Sequence, residues 1–366
     1  MQNIDNLSID TSGTTAQPRK PRDTQLDIYR ALTLILMVCV THAMWWDFNT
    51  PEPYSSIILF TSPLMLFIAG AAMKVSGRRK GFGETVSNRF KRVWLPYYIY
   101  AGWGVAYLVI FAILSDHYDM GSYSSPITYG KILAGLELPD VPYAWQIWFI
   151  LPYFIASVLF VVQRKWMDKL GGWTYLAIAF ALYLATFAQP CDVVRYIGIF
   201  NFFLILGFVC YRRYSRRTLT IAAIIISVPF ILLTTAGFFN DMQTHKSYVD
   251  LRYFILCFCS LVILSAIVSW IRFPQTRIFS IWNKYGYTIY LYQSFVFTVV
   301  FMGLYSIEAF ATSSSIIKLS ILSLSVFVIA TISAPLCLYM ETSLLAILKR
   351  VAQTSKALCR STGRMW

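Results

Sequence analysis

Three ionisable residues share one apolar stretch, LDIYRALTLILMVCVTHAMWW, over residues 26–46: Asp27, Arg30 and His42. A charged or titratable side chain is expensive inside hydrocarbon, so each needs a partner or a task. Asp27 and Arg30 stand three apart, on one face of a helix, where they read as a helix-end ion pair or as a functional pair. His42 lies about 18 Å further along the axis, at 1.5 Å per residue. An imidazole is the side chain best suited to move a proton near neutral pH, and general base catalysis is the chemistry His42 would do. The plainer alternative is a satisfied core histidine. The other two histidines, His117 and His245, fall in segments read as loops. A relay from Asp27 to His42 is excluded, because a straight helix separates them by about 22 Å. Asp47, Glu52 and Asp192 are the carboxylates on the histidine's side that could orient it.

A second concentration of charge is KVSGRRKGFGETVSNRFKRVWLPYY, residues 74–98, with seven Lys and Arg from Lys74 to Arg92. Most of that run reads as a basic loop or an anionic-lipid contact. Arg89 and Arg92 are more specific. Spaced i, i+3 just before Trp94 and Pro96, they are expected to share a face and could grip phosphate through paired hydrogen bonds. Tyr290 and Gln293, one turn apart in a later apolar stretch, are candidate polar liners.

Composition says what must position these residues. Of 366 residues, 57% are hydrophobic and only 13% charged, far from the balance of a soluble chain. The 11 Trp, 24 Tyr and 27 Phe suit a lipid-facing surface with aromatic belts. A secreted enzyme, a disordered regulator and a soluble nucleic-acid binder are excluded. Five of the seven cysteines sit in apolar runs, as small hydrophobes; neither a disulfide framework nor a metal site is expected. The expected fold is an all-α polytopic membrane protein with about ten transmembrane helices and no soluble domain. The spans are placed near 28–46, 55–74, 93–115, 145–163, 172–189, 193–211, 218–239, 250–271, 285–306 and 317–340. Residues 1–25 read as a disordered cytoplasmic tail, 26–348 as the membrane domain and 349–366 as a basic cytoplasmic tail.

Charge then orients the bundle. With alternating loops, one side holds 26 of the 31 basic and 7 of the 17 acidic residues, and the other 5 and 10, a split of +19 against −5. The positive-inside rule puts both termini in the cytoplasm of an inner-membrane protein.

In order along the chain, these pieces resemble the acyltransferase-3 family, bacterial membrane O-acyltransferases acting on surface glycans. Arg22, Asp27, Arg30 and His42 are similar to its Arg…Asp-x-x-Arg…His opening, and SPLMLFIAGAAM (62–73) to its second-helix signature, with Ala69-Gly70 at the Ser-Gly position. Arg89 and Arg92 match its Arg-x-x-Arg, and Trp148-Phe149 its Trp-Phe. GYTIYLYQSF (286–295) and YMETSLLAILKR (339–350) are similar to its later segments, with Glu341 at the Glu position. The family usually has one residue fewer between its Arg and His. Twelve steps of 100° put His42 about 120° around the helix from Arg30, so a kink, a bulge or a tolerant site is expected to absorb the extra residue. Gln293 stands where many members carry a second His.

The resemblance implies an acyl-CoA donor, most often acetyl-CoA, held by Arg89 and Arg92 with help from Arg30 and Arg22. It implies His42 as the base, Asp27 orienting Arg30, and Tyr290, Gln293 and Glu341 in support. No metal is implied. The acceptor would be a hydroxyl of a glycan or lipid-linked sugar, met in the lipid bilayer, and no nucleic acid is expected as partner. A secondary transporter or polysaccharide flippase is the alternative reading, although no internal repeat supports it.

Overall fold

The computed structural model describes residues 23–45, 52–77, 81–114, 149–188, 192–242 and 250–362, and among these there is no strand. Helix α1 is Thr24–Ile35 and continues through a wide π turn, Leu36–Thr41. Then follow α2 (Thr61–Ser76), α3 (Phe82–Arg89), α4 (Leu95–Leu114), α5 (Ile150–Leu170), α6 (Gly172–Ala185), α7 (Asp192–Cys210), α8 (Arg216–Thr235), α9 (Leu251–Trp270), α10 (Arg277–Lys284), α11 (Gly286–Tyr305) and α12 (Ser315–Thr362). Every span expected from sequence coincides with one of these helices. Eight helices among the described residues are long and apolar enough to cross a bilayer; Gly172–Ala188 is a shorter apolar helix, and α4 runs through the third expected span. The protein is an all-α polytopic membrane protein. Only helices can satisfy their backbone groups in hydrocarbon without partners from elsewhere, which is why apolar runs of this length fold this way.

The helix ends carry the expected chemistry. Asp23 accepts from the Leu26 amide (3.3 Å), Ser215 from Thr218, Asp250 from Tyr253 and Thr276 from Phe279, each capping a first turn. Gly77 closes α2 with φ 62°, the left-handed conformation that favours glycine. Lys74, counted in the basic loop, turns back and caps the end of α7, donating to the carbonyls of Val209 (3.2 Å) and Tyr211 (2.7 Å).

Two differences from the sequence reading bear on the site. The segment 272–284, read as loop, contains α10, an amphipathic helix whose Trp282 is fully buried, stacked on Phe327 and donating to Thr331 (2.9 Å). Trp282 is therefore an internal anchor, as are Trp94 and Tyr97, while Trp270 stays exposed as an interfacial residue does. The last helix does not stop at 340 but continues to Thr362, so most of the basic 349–366 segment is helical.

The core of the bundle is the contact of α2 with α7. A side-chain carbon on Gly70 would run into the Leu204 carbonyl, and one on Gly207 into the Phe67 carbonyl. The two backbones therefore meet directly, the close approach that small residues permit between membrane helices. The Ala69-Gly70 element of the sequence motif is thus a packing device.

Candidate active site

His42 sits just past the π turn of α1. Its amide donates to the Met37 carbonyl, five residues back, at 3.0 Å. A turn closed by i→i+5 bonds takes up one residue more than an α turn. Twelve residues from Arg30 then count as about eleven, and His42 comes back to within roughly 20° of the Arg30 face. Of the ways the spacing left open, a bulge is the one found here. Thr41, in the same turn, lies within hydrogen-bond distance of Ile58 and Thr61 (both 3.4 Å), fixing the bulge to the neighbouring segment.

The imidazole is 2% exposed, and its Nδ1 is 2.6 Å from Gln293 Oε1 on α11. Gln293 Nε2 donates to the Tyr290 carbonyl at 2.8 Å, which leaves Oε1 as the atom facing the ring. An amide oxygen only accepts, so Nδ1 carries the proton and the lone pair resides on Nε2, the form a general base needs. Gln293 is therefore an orienting partner of His42. Of the carboxylates that sequence reasoning weighed for this task, Asp47 and the side chain of Asp192 lie outside the described residues, and the partner seen on Nδ1 is the Gln293 amide.

Helix α11 presents a polar row, Tyr287, Tyr290 and Gln293, three residues apart each time. From His42 a column of rings descends toward the basic end. His42 and Tyr290 have centroids 6.3 Å apart, Tyr290 and Phe149 5.8 Å, and Phe149 stacks on Tyr153 at 5.6 Å. The Tyr153 hydroxyl accepts from Arg89 Nη1 at 2.9 Å. The Arg30 guanidinium lies within electrostatic reach of the same phenol. Arg30 also donates to Asn283 of α10 (3.3 Å) and sits 3.9 Å from Asp27, a loose helix-end pair. Glu341 is buried on α12 and accepts from Thr288 at 3.4 Å, on the basic side of Gln293.

Arg89 and Arg92 do not share a face. A second π turn, Phe90–Trp94, begins just after Arg89 and changes the helical phase, so Arg89 turns inward onto Tyr153 while Arg92 is exposed. Arg22 lies outside the described residues, as does Trp148. Sequence reasoning missed Tyr153 and Asn283. The only signal for Tyr153 was a hydroxyl four residues after Phe149 in an apolar helix; nothing singled out Asn283 in a presumed loop.

The helical bundle thus buries an oriented imidazole and joins it by a ring column to guanidinium groups at its basic end. A family profile described as an acyltransferase domain matches residues 23–340. The chain belongs to that family, acyltransferase-3, and is a membrane protein with an acyltransferase domain. Comparison with curated proteins and with solved structures finds no match. Membership favours acyl transfer over transport.

Proposed function

We propose that the protein moves an acyl group, most simply acetyl, from acyl-CoA made in the cytoplasm to a hydroxyl of a glycan or lipid-linked sugar at the outer face of the inner membrane. The observation that carries this reading is the buried His42–Gln293 hydrogen bond at the head of the ring column that starts at Arg89. Arg89 and Arg30 hold the donor's phosphates at the basic end, aided by the exposed Arg92 and by Arg22, and Asp27 steadies Arg30. The thin arm of the donor runs beside Phe149 and Tyr290, whose apolar walls keep water from the thioester. His42 Nε2 takes the proton of the acceptor hydroxyl as its oxygen attacks the thioester carbon. The C–S bond breaks, an ester C–O bond forms, and the imidazolium returns the proton to the departing sulfur. Glu341 and Thr288 support the row on α11 that carries Gln293.

The donor site is tested by isothermal titration of purified protein with CoA. Arg89→Ala weakens binding by roughly 10- to 100-fold, the loss of a charge-assisted pair of ~1.5–3 kcal/mol. Arg89→Lys recovers only part of it, because an ammonium lacks the planar fork. Arg92→Ala, exposed, has the smaller effect. Unchanged affinity in Arg89→Ala would move the donor elsewhere.

The orientation rests on the charge split between the two sets of loops. A reporter fused after Arg350 reads cytoplasmic, as does one at Gly81, and one inserted near Tyr123 reads external. An external signal at Arg350 would reverse the sides assigned to donor and acceptor.

A further inference from the structure

A cavity of about 1430 Å³ lies apart from His42, bounded by α1, α2, α6, α7, α8 and α9. Helices α8 and α9 form a hairpin tied to the bundle at both ends. At one end Tyr253 donates to the Leu59 carbonyl (3.2 Å), and at the other Tyr29 donates to the Val268 carbonyl (3.2 Å) and Gln25 to that of Phe273 (3.2 Å). Between these ties the hairpin stands off. Trp173, Ala177 and Phe180 of α6 face Leu219, Ala222 and Ile226 of α8 across the gap.

The lining divides by height. Arg212, Arg216 and Arg272 and the rings of Trp173 and Tyr214 gather at the basic end, while above them the walls are almost wholly apolar up to Val40 and Phe258. No carboxylate is among the lining residues. Asp23, close by, is occupied by Arg212 (3.1 Å) and Tyr211 (2.9 Å). Arg216 lies over Trp270, whose indole donates to Thr220 (3.0 Å), so the arginines stand at the level of an interfacial aromatic belt. From Arg216 to Ile226 the apolar wall rises about 15 Å, the depth of one leaflet's hydrocarbon.

We propose that this cavity binds an anionic phospholipid of the leaflet at the basic end, its phosphate between Arg216 and Arg272 and an acyl chain between α6 and α8. Charge complementarity and the split lining select this occupant. The polar composition of residues 1–22 does not suit an apolar space. The bound chain would lie against Leu36 and Val40, residues of the same π turn that sets His42. The inference is independent of the acyl-transfer reading.

Delipidated full-length protein in neutral detergent is titrated with phosphatidylglycerol, with phosphatidylcholine of identical chains, and with glycerol 3-phosphate. Native mass spectrometry and thermal unfolding are the two readouts, since a ligand of the folded state raises its apparent stability. Phosphatidylglycerol forms a one-to-one adduct and raises the melting temperature, phosphatidylcholine binds far more weakly, and glycerol 3-phosphate does neither. Combining Arg216→Gln with Arg272→Gln lowers phosphatidylglycerol affinity roughly 30-fold, two surface cations' worth. Ala222→Trp, which fills the gap, blocks uptake of both lipids; Ala177→Phe does so from the facing wall if the first variant melts early without lipid. Equal binding of the two lipids, unchanged uptake in the filled variants, or full stabilisation by glycerol 3-phosphate would each overturn the proposal.

Discussion

His42→Gln abolishes acyl transfer in a protein that still folds and still binds CoA. Glutamine keeps polarity and approximate size, and its amide can still meet Gln293, but it takes no proton at neutral pH. Loss of a general base lowers the rate by about 10²- to 10⁴-fold. The measurement is single-turnover transfer from radiolabelled acetyl-CoA in membranes, beside CoA titration of the same preparation. Gln293→Leu has the smaller effect in the same direction, because it frees the ring's orientation and tautomer without removing the base. Near wild-type transfer by His42→Gln would make His42 a packed core histidine and leave the Gln293 contact as a structural bond.

The second large effect is on folding. Gly70→Ala and Gly207→Ala each prevent the direct approach of α2 and α7, because the added carbon meets a backbone carbonyl that cannot rotate away. Overpacking ordinarily costs about 1–3 kcal/mol, and contact with main chain on both partners puts these variants at or above the top of that range. Little monodisperse protein is recovered in detergent, and what remains melts well below wild type. Gly303→Ala is the control: an added carbon there meets nothing within 4 Å. Alanine in a helix interior is favoured over glycine by about 1 kcal/mol, so this variant is equal to wild type or slightly more stable. Equal behaviour of all three would mean that α2 and α7 do not touch as described.

The span pattern was legible because it is a one-dimensional property: length, hydropathy and the placement of Lys and Arg are read directly off the chain. His42, Arg30 and Arg89 stood out for a related reason, since titratable groups in or beside apolar runs are few. What the sequence hid depends on phase and on three-dimensional partners. Two π turns alter the helical angle locally, one returning His42 toward the Arg30 face and the other parting Arg89 from Arg92. No propensity marks where such a turn forms. Gln293 was noticed but assigned a lesser part, because an amide 251 residues away gives no sign in the chain that it meets the imidazole. Composition suggested aromatic belts in general, and only the docking of α10 on α12 shows Trp282 to be internal.

The wide turn in α1 also matters for how relatives of this chain are sought. A search pattern that fixes the interval between the opening arginine and its histidine, without allowing a gap, passes over any protein that carries the insertion here. The two candidate positions are held by neighbours at either end, Asn283 below and Gln293 above, with the wide turn in the segment between them. Alignments of such openings are better anchored separately at the two ends, with the indel permitted in the middle of the helix, where ungapped comparison would forbid it.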